Sequence, residues 1–187
     1  MKTKHSRTLI RTGAALLLLG SVSSGIGAQA VSAPPQPAGE AAPMMVIDTP
    51  SFLEVVASSN AFEIRSSQMA AQKAKDPAVK AFAAQMVTDH TRAGEALKSL
   101  LGEKKTALPD EVAPKHAKML SQLEAANGAD FDVLYVDMQT QAHMEAVALF
   151  QTYAGSGEDA VIVGFAKQTL PTLVTHEHHI KMLATKS

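Results

Sequence analysis

The amino-acid sequence predicts an all-α domain: two antiparallel helical hairpins packed as a four-helix bundle, joined by a long crossover that contains a short helix. Three observations lead there. Apolar residues recur every three or four positions through four long segments, the period of an amphipathic helix. The composition is rich in Ala, Met, Gln and Lys, with 4% aromatic residues and no Trp, a palette that favours helices over strands. Pairs ending in Pro, and stops containing Gly, fall where helices would begin and end.

Lys2, Lys4, Arg7 and Arg11 precede an apolar run centred on Leu16, Leu17, Leu18 and Leu19, and small residues follow around Ala28-Gln29-Ala30. That order predicts a secretory signal peptide over residues 1–30, cleaved after Ala30. The run is too short and too rich in Gly and Ser for a bilayer span, which needs about 20 apolar residues. No Cys follows it for lipid attachment, so the mature chain is expected to be exported without an integral membrane segment. Residues 31–48 hold Pro34, Pro35, Pro37 and Pro43 without an apolar period and are expected to form a disordered Pro/Ala-rich spacer. The bundle domain is assigned to residues 49–187.

Thr49-Pro50 opens the first helix, with Thr49 as its expected cap and Phe52, Val55, Val56, Ser59, Phe62, Glu63, Ser66 and Ala70 on its inner face, ending near Lys75. Asp76-Pro77 starts the second at once, with Val79, Phe82, Ala83, Met86, His90, Ala93, Leu97 and Leu101 inward and Gly102 as the stop. So short a corner makes the pair antiparallel. After a polar stretch with Pro109, Pro114 opens a short helix that ends before Asn127-Gly128. The third long helix starts near Asp130, with Phe131, Leu134, Tyr135, Met138, Ala142, Ala146, Leu149 and Tyr153 inward. Gly155-Ser156-Gly157 forms the second corner. The fourth runs from about Glu158 to Ala184, with Ile162, Phe165, Thr169, Leu173, His176, Ile180 and Leu183 inward and Pro171 expected to kink it. Two long hairpins with one long crossover make the layout ferritin-like.

Charge and cysteine content narrow the function classes. Residues 1–30 carry four positive charges and no negative one, so their removal takes the net charge from −1 to −5. A mildly acidic domain does not suit nucleic acid, which requires a basic face. With no Cys, the fold rests on its core rather than on disulfides. Gly-rich phosphate loops, nucleophile elbows and Ser-His-Asp or Cys-His groupings are absent from the sequence.

Polar residues on apolar stripes are the remaining signal, since functional sites are where local rules break. Glu63, His90 and His176 each lie on the inner face of a helix, and His143 borders one. Glu63 lies 13 residues before Asp76 and His90 lies 14 after it, so both sit roughly 20 Å below that corner. If the crossover returns the chain to the same end, His143 reaches a similar height. His176 fits less well, roughly 9 Å from the His143 level. One carboxylate and two or three imidazoles converging from different helices would bind a divalent transition metal such as Zn, Cu, Ni, Mn or Fe. The same residues would equally serve as a buried hydrogen-bonded pair or network that fixes helix register.

Other candidates are weaker. A di-iron centre needs Glu-x-x-His on two helices, whereas Val87 precedes His90 by three and Leu173 precedes His176 by three. In Thr175-His176-Glu177-His178-His179 the side chains fan out by about 100° each, so His178 points away from His176 and His179, and no HExxH zinc motif is present. The methionines are scattered and suit core packing. Asp89, beside His90, is expected to face outward, and Tyr135 to anchor its helix to a neighbour.

Phe52 with Ala61-Phe62-Glu63-Ile64, the run from Val79 to His90, Phe131-Asp132-Tyr135 with His143, and Leu170-Pro171-Thr172-Leu173 before His176 together resemble a family of exported bacterial ferritin-like proteins. That family is classed as a domain of unknown function and its members are often labelled periplasmic or outer-membrane proteins. The resemblance covers about residues 50–184. It implies a ferritin-like fold and a periplasmic location, with outer-membrane association as the alternative, and it transfers no enzymatic activity. It also implies that Glu63, His90, His143 and His176 are the family's polar core positions. Two functions then compete: a metal-binding or stress-related bundle, and a non-enzymatic structural or interaction module. Protein partner and oligomeric state are open.

Overall fold

The computed structural model describes residues 46–104 and 112–185, so the expected signal peptide and nearly all of the expected spacer lie outside the described residues. Within the described residues the chain forms five helices and no strand: α1 (Thr49–Lys73), α2 (Pro77–Lys104), α3 (Pro114–Ala125), α4 (Gly128–Ser156) and α5 (Ala160–Ala184). Each neighbouring pair among α1, α2, α5 and α4 packs together, which closes a ring of four helices, while α3 lies against α1 and α4. The predicted ferritin-like four-helix bundle with a helix in its crossover is the fold observed.

Boundaries differ from the expected ones for local reasons. Asp48 rather than Thr49 caps α1, because its carboxylate accepts the Ser51 N–H at 2.7 Å. Thr49 instead bonds the Tyr153 hydroxyl at 2.6 Å. Val55, expected inward, is exposed, and Leu53 takes the core position. Gly102 does not stop α2, which continues to Lys104. A stop at glycine uses the left-handed conformation, and Gly128 alone among the described glycines adopts it, at φ 63°, in the turn into α4. Gly155 and Ser156 belong to α4, so the second corner is Gly157 to Asp159, and Asp159 caps α5 through the Val161 and Ile162 N–H groups. A side chain at Gly157 would lie 2.6 Å from the Tyr153 carbonyl and 2.7 Å from its ring, which restricts that corner to glycine. α5 runs unbroken through Pro171.

The crossover does return to the first corner. Lys73 Nζ donates to the Leu123 and Glu124 carbonyls at the end of α3, satisfying acceptors that the helix terminus leaves free. Immediately beyond, the Asp132 carboxylate accepts the Lys75 and Asp76 N–H groups at 2.8–3.0 Å. One turn further on, the Tyr135 hydroxyl bonds Ser67 at 2.9 Å, fixing α4 to α1 as expected. At the start of α3, Ser58 accepts the Ala113 N–H at 2.7 Å and bonds His116 Nδ1 at 2.6 Å, with the Phe62 ring stacked on the imidazole. These contacts set α1 antiparallel to α4 and bring the middles of the long helices level.

The apolar core is divided. Near the first corner, Phe62, Phe82, Met86, Phe131, Tyr135 and Ile180 pack in one cluster. Toward the opposite end, Phe52, Leu97, Phe150, Tyr153, Phe165 and Leu173 pack in another. Between them lies a layer of buried polar side chains: Glu63 and Ser66 from α1, His90 from α2, Gln139 and His143 from α4, and His176 from α5.

Candidate metal centre

The layer arises because each histidine occupies a core-facing position on its helix. His90 follows Met86 by one turn, His143 precedes Val147 by one turn, and His176 lies between Leu173 and Ile180, all buried neighbours. The three imidazole rings form a nearly equilateral triangle, with centroids 5.7 Å apart for His90–His143, 5.6 Å for His90–His176 and 5.5 Å for His143–His176. One ring nitrogen from each lies within 4.8 Å of the other two.

The hydrogen bonds assign the protons. His143 Nδ1 lies 2.9 Å from the Gln139 carbonyl oxygen, which only accepts, so Nδ1 carries the hydrogen. His176 Nε2 lies 3.0 Å from Asp89 Oδ2 and donates to that carboxylate. His90 Nδ1 lies 3.1 Å from Asn60 Oδ1 and donates to the amide oxygen. The opposite nitrogens, His90 Nε2, His143 Nε2 and His176 Nδ1, are buried and have no hydrogen-bond partner among the described residues. In neutral imidazoles those three atoms bear lone pairs. Each ring is thus held from behind by an oxygen acceptor, with its free lone pair left unpaired in the layer.

Burial pushes the His90 pKa well below the usual histidine value, and the neighbouring His143 and His176 add to the effect. Burial also lowers His176, against the opposing influence of the Asp89 carboxylate. Both therefore stay neutral near pH 7, when their free nitrogens are donors to a Lewis acid. Glu63 is pushed in the other direction, its pKa raised by burial and partly restored by His143 and Gln139.

The four residues singled out in the sequence all fall in this layer, and their grouping differs from the expected one. Glu63 Oε1 lies 3.9 Å from His143 Nδ1, the nitrogen that faces the Gln139 carbonyl, and is not grouped with the three converging nitrogens. His176, placed farther away by residue counting, joins the group. The corner between α4 and α5 centres near residue 158, which puts His176 opposite residue 140 rather than 137. Side chains lean toward the N-terminus of their helix, and in this antiparallel pair that tilts His143 and His176 toward one another. Asp89 does not merely face solvent, since its Oδ2 holds His176 while Oδ1 pairs with Arg92 at 3.6 Å. His178 is exposed and His179 packs edge-on to Phe82.

A cavity of about 660 Å³ adjoins the layer, with Asp89, His90 and His176 in its wall and an apolar lining that includes Leu97, Leu149, Phe150, Phe165 and Leu173. Gly94 also lines it, facing Asn60, and a side chain there would lie 2.8 Å from the amide that anchors His90.

The family described as "Domain of unknown function (DUF4142)" matches residues 34–183, and the chain belongs to that family. Among solved structures it is similar to "CopM in the Cu(II)-bound form", at 20% identity over 76% of this chain and 99% of that one, with a TM-score of 0.65. It is also similar to a DUF305 fragment from Deinococcus radiodurans, at 12% identity over 73% of this chain and 94% of that one, with a TM-score of 0.64. At these identities the likeness shows the bundle fold. No curated protein matches the chain.

Proposed function

For this member of the DUF4142 family we propose a metal-binding role, in which His90, His143 and His176 hold one divalent transition metal ion in the centre of the bundle. The observation that carries the proposal is the set of three buried, partnerless nitrogens whose opposite nitrogens all donate to oxygen acceptors. Metal-ligating histidines characteristically donate their second N–H to a carboxylate or backbone carbonyl, the role of Asp89 and Gln139 here. Glu63 acts behind His143 as a positioning and charge-balancing group.

Three neutral imidazoles without a thiolate suit Cu(II), Zn(II) or Ni(II) better than the hard cations that prefer oxygen. Copper is the first metal to test, because CopM, which has a similar fold, is known in a Cu(II)-bound form. With one carboxylate in the layer, the di-iron reading has no support in the donor set. The reading is a binding function rather than an enzymatic one. Export through the segment around Leu16–Leu19 and a periplasmic location belong to the same proposal, where the protein would sequester or buffer the metal. Among the described residues no helix is long and apolar enough to cross a membrane.

The test is metal content by mass spectrometry on protein purified without an affinity tag, with His90→Ala as the comparison. Near one metal per chain, lost in the variant, is the expected outcome. Protein that is metal-free and gains no thermal stability with Cu, Zn, Ni, Mn or Fe refutes the proposal. The residues would then stand as a polar packing layer.

A further inference from the structure

Resting on that reading of the three histidines, we infer that the bound metal takes a further ligand from outside the chain. That ligand is a small molecule seated in the adjoining cavity, presenting one nitrogen or sulfur donor on an uncharged, apolar body.

The donor count is the first argument. His90, His143 and His176 are the metal-competent group among the described residues, and Glu63 approaches the proton-bearing nitrogen of His143 instead of joining them. Zinc and copper(II) sites complete four or more positions, and a site with three protein ligands leaves one to water or to an exogenous molecule. The cavity is the second argument. His90 and His176 are part of its wall, so two of the three ligands border a space connected to the layer. Its volume of about 660 Å³ falls in the ordinary range for small-molecule sites.

The lining states the chemistry of the occupant. Leu97, Leu149, Phe150, Phe165 and Leu173 belong to the apolar cluster on this side of the layer, so an aromatic or aliphatic body would replace water there favourably. The charged lining residues Glu54, Arg65, Lys98, Lys115 and Glu145 are exposed, which places charge recognition at the mouth. Of the two carboxylates beside the histidines, Asp89 lines the cavity and Glu63 does not, and Asp89 is engaged with His176 and Arg92. An anionic head would therefore meet a carboxylate, whereas a neutral donor would not. A single polar atom directed at the metal and an apolar remainder match both ends of the cavity.

The test uses the full-length protein loaded with Cu(II), after metal uptake has been measured. Imidazole and 4-phenylimidazole are titrated while the copper spectrum is followed by electron paramagnetic resonance. The phenyl body should make the second probe bind at least about tenfold more tightly than the first, from burial of its apolar surface. Ala146→Phe and Thr169→Phe, at two other lining positions, should each abolish that advantage while leaving copper uptake and imidazole affinity unchanged. Copper uptake with no spectral response, with equal affinities for the two probes, or with an advantage that survives both variants overturns this inference and leaves the metal site standing. Equal binding of 4-phenylimidazole to copper-free protein overturns it as well. Failure of copper, zinc and nickel uptake overturns both.

Discussion

His143→Leu should make the metal-free protein more stable and the metal-exposed protein less stable than the wild type. The substitution replaces a buried imidazole with an apolar side chain of similar volume, so packing changes little. It removes Nε2, a buried acceptor without a partner, and a group of that kind costs about 1–3 kcal/mol. It also removes the Nδ1 bond to the Gln139 carbonyl, whose net contribution is about 0.5–1.5 kcal/mol. That carbonyl remains inside α4 and keeps its helical N–H donor, so it is not orphaned, and Glu63, whose pKa burial raises, keeps its hydrogen bond with Gln139. The balance favours the variant by about 1 kcal/mol, a rise in midpoint of roughly 3–5 °C for a bundle of this size.

Metal reverses the order. At a free concentration 100 times the dissociation constant, a bound ligand stabilises the wild type by about 2.7 kcal/mol, and a variant missing one of three ligands loses most of that gain. Thermal unfolding by circular dichroism, run in chelator and again in Cu(II), Zn(II) or Ni(II), reads both effects. A variant less stable than wild type in chelator would refute the reasoning. It would mean that His143 Nε2 is satisfied in the native protein, as it would be if the layer were a self-contained polar network.

Asp89→Asn keeps the shape of the side chain but weakens the acceptor behind His176, and should lower metal affinity by about 10–100-fold in a chelator competition assay. Tyr135→Phe leaves the buried Ser67 hydroxyl without its partner and should cost about 1–3 kcal/mol in denaturant unfolding, while metal affinity stays unchanged. The metal-free protein should also lose stability in mild acid, read as a falling midpoint in chelator. His90 and His176 have folded pKa values below the ordinary 6.5, so their contribution is fully present above pH 6.5 and is lost as pH falls toward the folded values. Glu63 acts with the opposite sign: its raised pKa favours the fold below the ordinary 4.5, and that contribution is lost as pH rises through the folded value. Glu63→Gln removes the opposing part and should steepen the acid loss.

Much of the bundle was legible because its helices follow their apolar period closely and begin at Asp-Thr-Pro and Asp-Pro. Glu63, His90 and His176 were legible for the converse reason, as polar residues where the period calls for apolar ones. What the sequence withheld was contact between helices. Asp89 lies about 100° around α2 from His90, a direction that reads as solvent until α5 is known to pack there. Asn60 looks like an ordinary polar residue of α1, and the acceptor behind His143 is a backbone carbonyl that no side-chain pattern announces. Ser58 and His116 pair across 58 residues through a crossover whose path no periodicity specifies. The place of Glu63 behind His143 turns on which ring nitrogen faces which neighbour, and spacing along helices carries no information about that.

The polarity of the layer favours the proposed ligand site over a register device. Three neutral imidazoles have three N–H groups and three lone pairs, enough to form a closed chain in which each ring donates to the next. Here the N–H groups are instead committed to a carbonyl, a carboxylate and an amide oxygen outside the triangle. Moving a proton to the other nitrogen of His143 or His176 would set a lone pair against the Gln139 carbonyl or the Asp89 carboxylate, so tautomerism offers those two rings no escape. An electrophile among the three free nitrogens would satisfy them. A proton would place positive charge where burial already depresses the pKa of His90 and His176. In the proposed reading a divalent metal ion would engage all three lone pairs at once, and its binding energy would offset the cost of their desolvation.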